Sequence, residues 1–143
     1  MRNRSYVLDS FAVLAYFQAE PSGQRVKDLL KQARTGEVLA FLSLINLGEI
    51  VYNVGRRRGD AVAAEVLEDI ARLPIQLADV TLDRVLAAVY VKTHHTVSYA
   101  DAFAVALAQE LDATVVTGDP EFRQVESLVQ IGWLTRQEEK TDA

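Results

Sequence analysis

The chain has 143 residues, of which 50% are hydrophobic and 24% charged, with 20 acidic side chains against 15 Lys and Arg, a formal net charge of −5 and no cysteine. This length suits one domain with a substantial core, and the lack of cysteine excludes disulfides and thiolate metal sites. The acidic balance argues against a protein that coats nucleic acid through bulk positive charge.

The predicted elements alternate between strands and helices along the chain. Short β-prone or continuous apolar runs predict strands over residues 6–8, 38–42, 75–78, 114–117 and 128–131. Helical spacing, caps and stop signals predict helices over residues 11–19, 23–35, 43–57, 60–73, 81–92 and 98–111. This alternation predicts an α/β fold with three layers, in which a central parallel sheet of four to five strands lies between helices.

The domain organisation follows from the same pattern. No internal repeat, low-complexity stretch or linker interrupts the alternation, so we expect one domain over residues 1–135 and a polar tail over residues 136–143. The longest apolar runs, residues 11–17 and 102–108, are far shorter than the ~18–20 residues that span a membrane. Asp9 interrupts what could otherwise resemble a signal peptide, so we expect a soluble cytoplasmic protein.

Four carboxylates are expected at one edge of this sheet. Asp9 directly follows the first predicted strand, and Asp119 follows the strand at 114–117. Asp101 lies in the first turn of the helix at 98–111, and Glu49 in the second turn of the helix after the second strand. Because ligands bind beyond the carboxyl ends of parallel strands, where helix N-termini also lie, these four acids point to one place.

Each of the four acids also has a purely local explanation. Asp101 stands three residues after Ser98, which is the spacing of a capping box. Asp119 precedes a proline and matches an N-cap with proline at the first helical position. Asp9 suits a turn, and Glu49 suits a solvated helix face.

For two of the four acids, the neighbouring residues favour a shared site over a purely local role. Asp101 is the only charged residue from Tyr99 to Ala108, and this helix is otherwise apolar on every side, which is typical of a buried helix. Glu49 belongs to a polar stripe with Asn46 and Asn53 on a mostly apolar helix. A charge placed against the core needs a partner, and a shared site would supply one.

The donor set indicates a hard divalent cation. Crowded carboxylates at a partly buried edge repel one another unless they are protonated or bridged by cations. Oxygen ligands without cysteine suit Mg²⁺ or Mn²⁺ rather than Zn²⁺. Such a site favours phosphodiester hydrolysis, while Gly-x-Gly, Gly-Lys-Ser/Thr and Gly-x-Ser-x-Gly motifs of other nucleotide and hydrolase sites are absent from the sequence.

Four segments around these acids resemble the signature blocks of PIN-domain ribonucleases. The segments are residues 7–15, 46–50, 98–103 and 116–122, which occur in the family's order and cover nearly the whole chain. They are most similar to the VapC toxins of bacterial and archaeal toxin–antitoxin pairs. The resemblance implies a PIN-like fold and a metal-dependent endoribonuclease that acts as the toxin of a type II toxin–antitoxin system, inhibiting translation and growth.

The resemblance also implies roles for individual residues. The first and third acids of the family ligate the main metal directly, a role that falls here to Asp9 and Asp101. Glu49 and Asp119 would complete the site through water or at a second, weaker position. Ser10 and Thr117 occupy positions where the family often has a supporting hydroxyl.

The resemblance further implies a reaction and partners. A metal-held water would attack an RNA phosphodiester and leave 5′-phosphate and 3′-hydroxyl ends, with Mg²⁺ or Mn²⁺ as the cofactor. The family suggests a homodimer that is inhibited by a cognate VapB-like antitoxin, whose tail lies in the active-site groove.

Several other residues allow two interpretations. Arg56, Arg57 and Arg58 could contact RNA phosphates or complement a helix dipole. Glu121 could add a fifth carboxylate, although an acid at a helix start is commoner. His94 and His95 are expected in a helix-end loop rather than in acid–base catalysis.

The aromatic residues are expected in the core or in dimer contacts rather than in base stacking, and Trp133 is assigned no function. They are Tyr16, Phe17, Tyr52, Tyr99, Phe103 and Trp133.

Two other classes of function stay open at this point. One is a receiver-like or phosphatase-like domain with Asp9 as nucleophile, but that class needs a lysine near the last strands and none lies between Lys92 and Lys140. The other is a non-catalytic binding module with an acidic Mg²⁺-binding edge.

Overall fold

The computed structural model describes residues 4–134 and contains one five-stranded parallel sheet. Its strands are β1 (Arg4–Leu8), β2 (Val38–Ser43), β3 (Gln76–Ala78), β4 (Thr114–Thr117) and β5 (Ile131–Trp133). The strand order is β3-β2-β1-β4-β5, and every neighbouring pair is parallel. The polar tail expected over residues 136–143 lies outside the described residues.

Six α-helices and one 3₁₀ helix surround the sheet. They are α1 (Ser10–Phe17), α2 (Gly23–Arg34), α3 (Leu44–Arg58), α4 (Asp60–Arg72), α5 (Leu82–His94), α6 (Tyr99–Leu111) and the 3₁₀ helix Pro120–Val125. No helix among residues 4–134 has the length and apolar character that crossing a membrane requires.

The helices form two layers because successive strand residues face opposite sides of the sheet. Val7 packs into a core that α5 and α6 cover, while its neighbour Leu8 packs into a core that α1 to α4 cover. Helix α6 is buried over residues 101–108, as the all-apolar pattern predicts. The predicted α/β fold with three layers is therefore confirmed.

The last predicted strand is wrong in its position. Residues 128–129 are not part of β5, which begins at Ile131 and pairs with Val115. The apolar side chains Leu128 and Val129 pack against the core from a turn after the 3₁₀ helix, so their hydrophobicity reflects burial and not strand pairing. The other predicted elements occur with ends shifted by a few residues.

The sheet register brings the ends of three central strands together. Leu8 lies beside Leu42 on one side and Val116 on the other, so β1 ends between β2 and β4. Asp9 follows β1 directly, α3 starts directly after β2, and Asp119 stands two residues beyond β4. This edge is where the predicted site belongs.

Candidate metal centre

Asp9 is fixed at the centre of the edge by hydrogen bonds from two different segments. Its Oδ1 accepts a hydrogen bond from the Ala12 backbone N–H at 2.9 Å, which caps α1. Its Oδ2 accepts one from the Thr117 hydroxyl at 2.5 Å, which ties the carboxylate to the end of β4. The side chain is 1% exposed. Asp9 thus caps α1 and lies at the carboxyl end of β1, the edge where the sequence predicts the site.

Asp101 stands in a helix start that resembles a capping box but differs in one bond. The Ser98 hydroxyl accepts a hydrogen bond from the Asp101 backbone N–H at 3.1 Å, as a capping serine does. The reciprocal bond, from the Ser98 backbone N–H, goes to Glu121 Oε1 at 3.2 Å and not to the Asp101 carboxylate. Glu121 thus takes the place of Asp101 as the acceptor from the Ser98 N–H, and the Asp101 carboxylate lies close to Asp119 and Glu121.

Asp119 and Glu121 bring two more carboxylates to Asp101. The Asp119 backbone N–H donates to the Thr117 hydroxyl oxygen at 3.0 Å, and the Asp119 carboxylate caps the 3₁₀ helix by accepting from the Glu121 N–H at 2.9 Å. One carboxylate oxygen each from Asp101, Asp119 and Glu121 lie within 4.8 Å of one another. Both interpretations of Glu121 hold, since it starts a helix and also joins the cluster.

Glu49 reaches the same edge through Ser10. The Ser10 hydroxyl donates to Glu49 Oε1 at 2.5 Å, and Ser10 is the residue next to Asp9. Asn46, one turn earlier on α3, donates from Nδ2 to Ser10 Oγ and to the Ala100 carbonyl, both at 3.4 Å. Asn46 and Glu49 of the polar stripe predicted on α3 thus connect α3 to the start of α1, and Asn46 also connects it to the start of α6.

Burial and mutual repulsion disfavour the charged forms of two acids. Burial raises the pKa of Asp9 from 3.8 to about 7, with a further contribution from Asp119 and an opposing one from the Thr117 and Ala12 hydrogen bonds. Burial also raises the pKa of Asp101 to about 8, together with the nearby Glu121, Asp9 and Asp119 carboxyls. At neutral pH this edge therefore holds protons that a cation could replace.

These observations fit a hard divalent cation. The donors are carboxylate oxygens, the type that Mg²⁺ and Mn²⁺ prefer, and they come from α6 and from the segment after β4, with Asp9 close enough to interact electrostatically. In addition, Asn46 is fully buried and its Oδ1 has no hydrogen-bond partner among the described residues, which leaves an uncompensated polar atom beside the acids.

Other residues considered from the sequence lie away from the acids. Arg56, Arg57 and Arg58 form the last turn of α3, where all three are exposed. His94 ends α5, and its ring stacks on Tyr90 while Nδ1 pairs with the Tyr90 carbonyl at 2.9 Å.

The aromatic residues divide into two groups. Phe103 is buried and Tyr16 and Phe17 are partly buried against the core, as predicted. Tyr52 and Tyr99 are exposed, so the core location predicted for these two residues is wrong. Tyr52 lies on the outer side of α3, and the Arg56 guanidinium lies over its ring, 5.6 Å from the ring centroid.

The sequence pointed to four acids but not to how Glu121 is used. The missing information was the hydrogen bond from the Ser98 backbone N–H to the Glu121 carboxylate, which joins residues 23 positions apart. A local signal did exist, since Glu121 follows Asp119 by two residues.

Comparison with known proteins gives one family and a consistent set of folds. The model of the PIN domain family matches residues 6–128. None of the curated proteins compared with the chain matches it in sequence.

Solved structures with this fold include several toxin–antitoxin proteins. A DNA-bound VapBC from Salmonella typhimurium is 15% identical, with a TM-score of 0.69 over 92% of this chain and 98% of that one. A VapBC2 from Rickettsia felis bound to a promoter DNA fragment is 18% identical, with a TM-score of 0.68 over 88% and 96%. VapC20 from Mycobacterium tuberculosis, a toxin that cleaves the sarcin–ricin loop, is 18% identical, with a TM-score of 0.67 over 89% and 98%. At these identities the likeness shows the fold.

Proposed function

The chain belongs to the PIN domain family, and from this premise we propose that it is a metal-dependent endoribonuclease of the VapC type, the toxin of a toxin–antitoxin pair. The observation that carries the proposal is the group of carboxylates at the carboxyl edge of the sheet, two of them buried, which come from α6, from the segment after β4 and from the end of β1. A buried acidic cluster is costly to a fold, so a function that uses a cation and a phosphodiester explains why it is there.

We assign the metal to the acids as follows. Asp9 and Asp101 would hold a Mg²⁺ or Mn²⁺ ion directly, and Glu49 and Asp119 would complete the site through water or at a second position. When bound, the ion would lower the pKa of a water molecule and offset negative charge on phosphate oxygens.

The chain's own residues would keep these acids in place. Thr117 donates to Asp9 and accepts from the Asp119 backbone, so one hydroxyl orients two of the acids. The Ser10 hydroxyl orients Glu49 by donating to its carboxylate. Glu121 holds the N-terminus of α6 through Ser98 and so positions Asp101. This is the support that metal ligands need for a fixed geometry.

The basic turn at the end of α3 would contact the RNA backbone. Glu49, Tyr52 and Arg56 recur at helical spacing, so a row of side chains leads from the acids to Arg56, Arg57 and Arg58. Tyr52 with Arg56 above its ring offers an aromatic surface next to a phosphate contact. Hydrolysis would leave 5′-phosphate and 3′-hydroxyl ends.

The proposed partners follow the structural neighbours. Since VapBC complexes share this fold, we expect a VapB-like antitoxin to cover the acids at the carboxyl edge of the sheet, and we expect the toxin to form a homodimer. RNA is the proposed substrate and the cytoplasm the proposed place of action, with residues 1–135 as the nuclease domain and 136–143 as a tail.

The test is RNA cleavage by the purified chain without antitoxin. We expect cleavage with Mg²⁺ or Mn²⁺, none in excess EDTA, and a loss of at least 10²–10³-fold in Asp101→Asn, the scale found when one charge-stabilising group is removed. Asp112→Asn is the matched control, because Asp112 is exposed at the other end of α6 in a left-handed conformation that asparagine also adopts.

The outcomes separate the classes of function. Full activity in EDTA, or undiminished cleavage by Asp101→Asn, would contradict the metal mechanism. A folded wild-type chain that binds Mn²⁺ but cleaves no RNA would favour the binding module. A phosphorylated Asp9 would favour the receiver-like class.

A further inference from the structure

Two arginines from different elements meet at Trp133, the last residue of β5. The Arg123 guanidinium, from the 3₁₀ helix, lies over the indole ring, 5.8 Å from the ring centroid. The Arg25 guanidinium, from the start of α2, donates through Nη1 to the Trp133 carbonyl at 2.6 Å. We call Arg25, Arg123 and Trp133 the Trp133 patch. Trp133 thus holds two guanidinium groups that come from residues 98 positions apart.

The charge of both guanidinium groups is left uncompensated. Among residues 4–134, no carboxylate forms an ion pair with Arg25 or Arg123, and both side chains are exposed. Glu126 accepts from the Trp133 indole N–H at 3.1 Å and pairs with neither arginine of the patch. The carbonyl and the ring face orient the two guanidinium groups without neutralising them. Oriented, unpaired guanidinium groups are the arrangement that binds phosphate oxygens.

The Trp133 patch lies at the same edge of the sheet as the acids. Trp133 pairs with Thr117 in the register of β4 and β5, one strand spacing of about 4.8 Å away, and Thr117 bonds to Asp9. Asp119 caps the 3₁₀ helix that carries Arg123. Four residues of such a helix rise by roughly 8 Å. An RNA strand held at the acids would therefore bring a neighbouring phosphate to the patch.

The Trp133 patch and helix α3 lie on different sides of β1. In the sheet, β4 and β5 follow β1 on one side, whereas β2, from which α3 continues, is its neighbour on the other side. Asp9, at the end of β1, thus separates the patch from the start of α3. The patch is therefore a different contact from the basic turn that ends α3.

We infer that the Trp133 patch binds a phosphate of the RNA backbone next to the scissile bond, on the β5 side of the acids. The inference rests on the proposed ribonuclease function and adds a second contact for its substrate. Arg25 and Arg123 bind the phosphate oxygens, and Trp133 positions both guanidinium groups. Because the contact is made to the backbone, it strengthens RNA binding without selecting a base sequence.

The first experiment measures the affinity of the full chain, without antitoxin, for a short fluorescent oligouridine at several salt concentrations. All proteins carry Asp101→Asn, so that the RNA stays intact. We expect Arg25→Gln and Arg123→Gln each to weaken binding roughly 5–10-fold. Each should also reduce the slope of log affinity against log salt by about 0.7, the value for one phosphate contact on a single strand. Arg34→Gln is the matched control, an exposed arginine at the other end of α2.

A purely structural role of Arg123 predicts a different result. If Arg123 only holds Trp133 in place, Arg123→Gln lowers the free energy of unfolding and leaves the salt slope unchanged. Arg123→Lys keeps the charge but not the planar group over the ring. We therefore expect Arg123→Lys to keep the salt slope of the parent protein and to bind RNA more tightly than Arg123→Gln.

The contrary outcomes are distinct. Unchanged affinity and salt slope in Arg25→Gln and Arg123→Gln would overturn the inference, as would a loss as large in Arg34→Gln. If the two patch variants lose antitoxin binding and keep RNA binding, the patch belongs to the antitoxin and the inference fails. A wild-type chain that binds RNA through the patch but never cleaves it would instead contradict the proposed function alone.

The second experiment uses Trp133 itself, which is the only tryptophan of the chain, so its fluorescence reports on the patch. Saturating oligouridine should change the emission, because a phosphate bound by Arg123 alters the surroundings of the indole ring. At equal saturation, the double variant Arg25→Gln/Arg123→Gln should lose this response. Constant emission while the RNA is bound would place the RNA elsewhere and overturn the inference.

Discussion

The acidic edge and the exposed side of α5 depart from the usual distribution of side chains in opposite directions. At the acidic edge, the carboxylates of Asp9 and Asp101 are 1% and 7% exposed, although charged groups favour water. On α5, Leu82 and Leu86 are 71% and 56% exposed, although apolar groups favour the core. Among residues 4–134, no ion pair offsets the carboxylates of the acidic edge, and no packing covers these apolar side chains of α5.

The two regions should therefore respond to different changes. A divalent cation would offset the charge at the acidic edge and leave the exposed side of α5 unchanged, whereas Leu86→Glu would change the exposed side of α5 and leave the acidic edge unchanged. Variants that alter one region and not the other can separate these responses.

The largest expected effect is on the pH dependence of stability without metal. The pKa values of Asp9 and Asp101 are raised above 3.8 in the folded chain, to about 7 and about 8. The folded state thus binds more protons than the unfolded state between about pH 4 and pH 8, and its stability falls as the pH rises through this range. At pH 8 in EDTA, Asp101→Asn should be more stable than wild type by at least about 2 kcal/mol, because it removes the penalty of a buried charge.

Chemical denaturation at pH 5 and pH 8 in EDTA and in Mg²⁺ checks this prediction. Mg²⁺ should stabilise wild type more at pH 8 than at pH 5 and should stabilise Asp101→Asn less. Leu86→Glu serves as the control from the other region, with the metal response of wild type. Stability that rises with pH in EDTA would show that Asp9 and Asp101 are not held as described.

A smaller effect is expected from Asn46, which connects the acidic elements without carrying charge. Asn46→Ala removes the hydrogen bonds to Ser10 and Ala100 that join α3 to α1 and α6. We expect activity to fall 10–100-fold, as when a group that orients metal ligands is lost, with stability reduced by about 1–2 kcal/mol.

Asn53→Ala is the control for Asn46, since the Asn53 side chain donates to the Glu49 carbonyl within its own helix. Cleavage rates and Mn²⁺ titration measure both variants. If Asn46→Ala loses stability but keeps wild-type Mn²⁺ affinity and rate, Asn46 serves the fold alone.

The smallest effect is expected from Glu121→Gln. Glutamine keeps the oxygen that accepts from the Ser98 N–H but removes one negative charge beside Asp101. We expect Mn²⁺ affinity to fall by less than about 10-fold, the weaker end of the range for supporting groups.

Glu126→Gln is the matched control, because Glu126 accepts from the Trp133 indole away from the acids. A loss as large as that of Asp101→Asn would make Glu121 a direct ligand. No change in either Mn²⁺ affinity or rate would leave it only a cap for α6.

Much of this molecule could be predicted from local sequence. The helix caps Asp9, Ser43 and Ser98 act within three residues of their own position, so the starts of α1, α3 and α6 are visible in the sequence. The last strand could not be placed, because apolar residues 128–129 are equally consistent with a strand and with a turn packed on the core.

The acidic edge was likewise predictable in part. The alternation of strands and helices, with the rule that ligands bind beyond the carboxyl ends of parallel strands, was enough to predict Asp9, Glu49, Asp101 and Asp119 at one edge. The contact of Glu121 with Ser98 and the bond of Thr117 to Asp9 join residues 23 and 108 positions apart. Bonds of that kind depend on the packed position of two elements and leave no periodic trace in the sequence.

The sequence by itself determined the α/β fold, the family and the four acids, because these follow from periodicity, local caps and short motifs. The tertiary structure decided how strongly Asp9 and Asp101 are buried, which residue completes the cap of α6, and which side of α5 is left exposed. Burial is set by everything that packs around a side chain, so it emerges only when all the layers are in place.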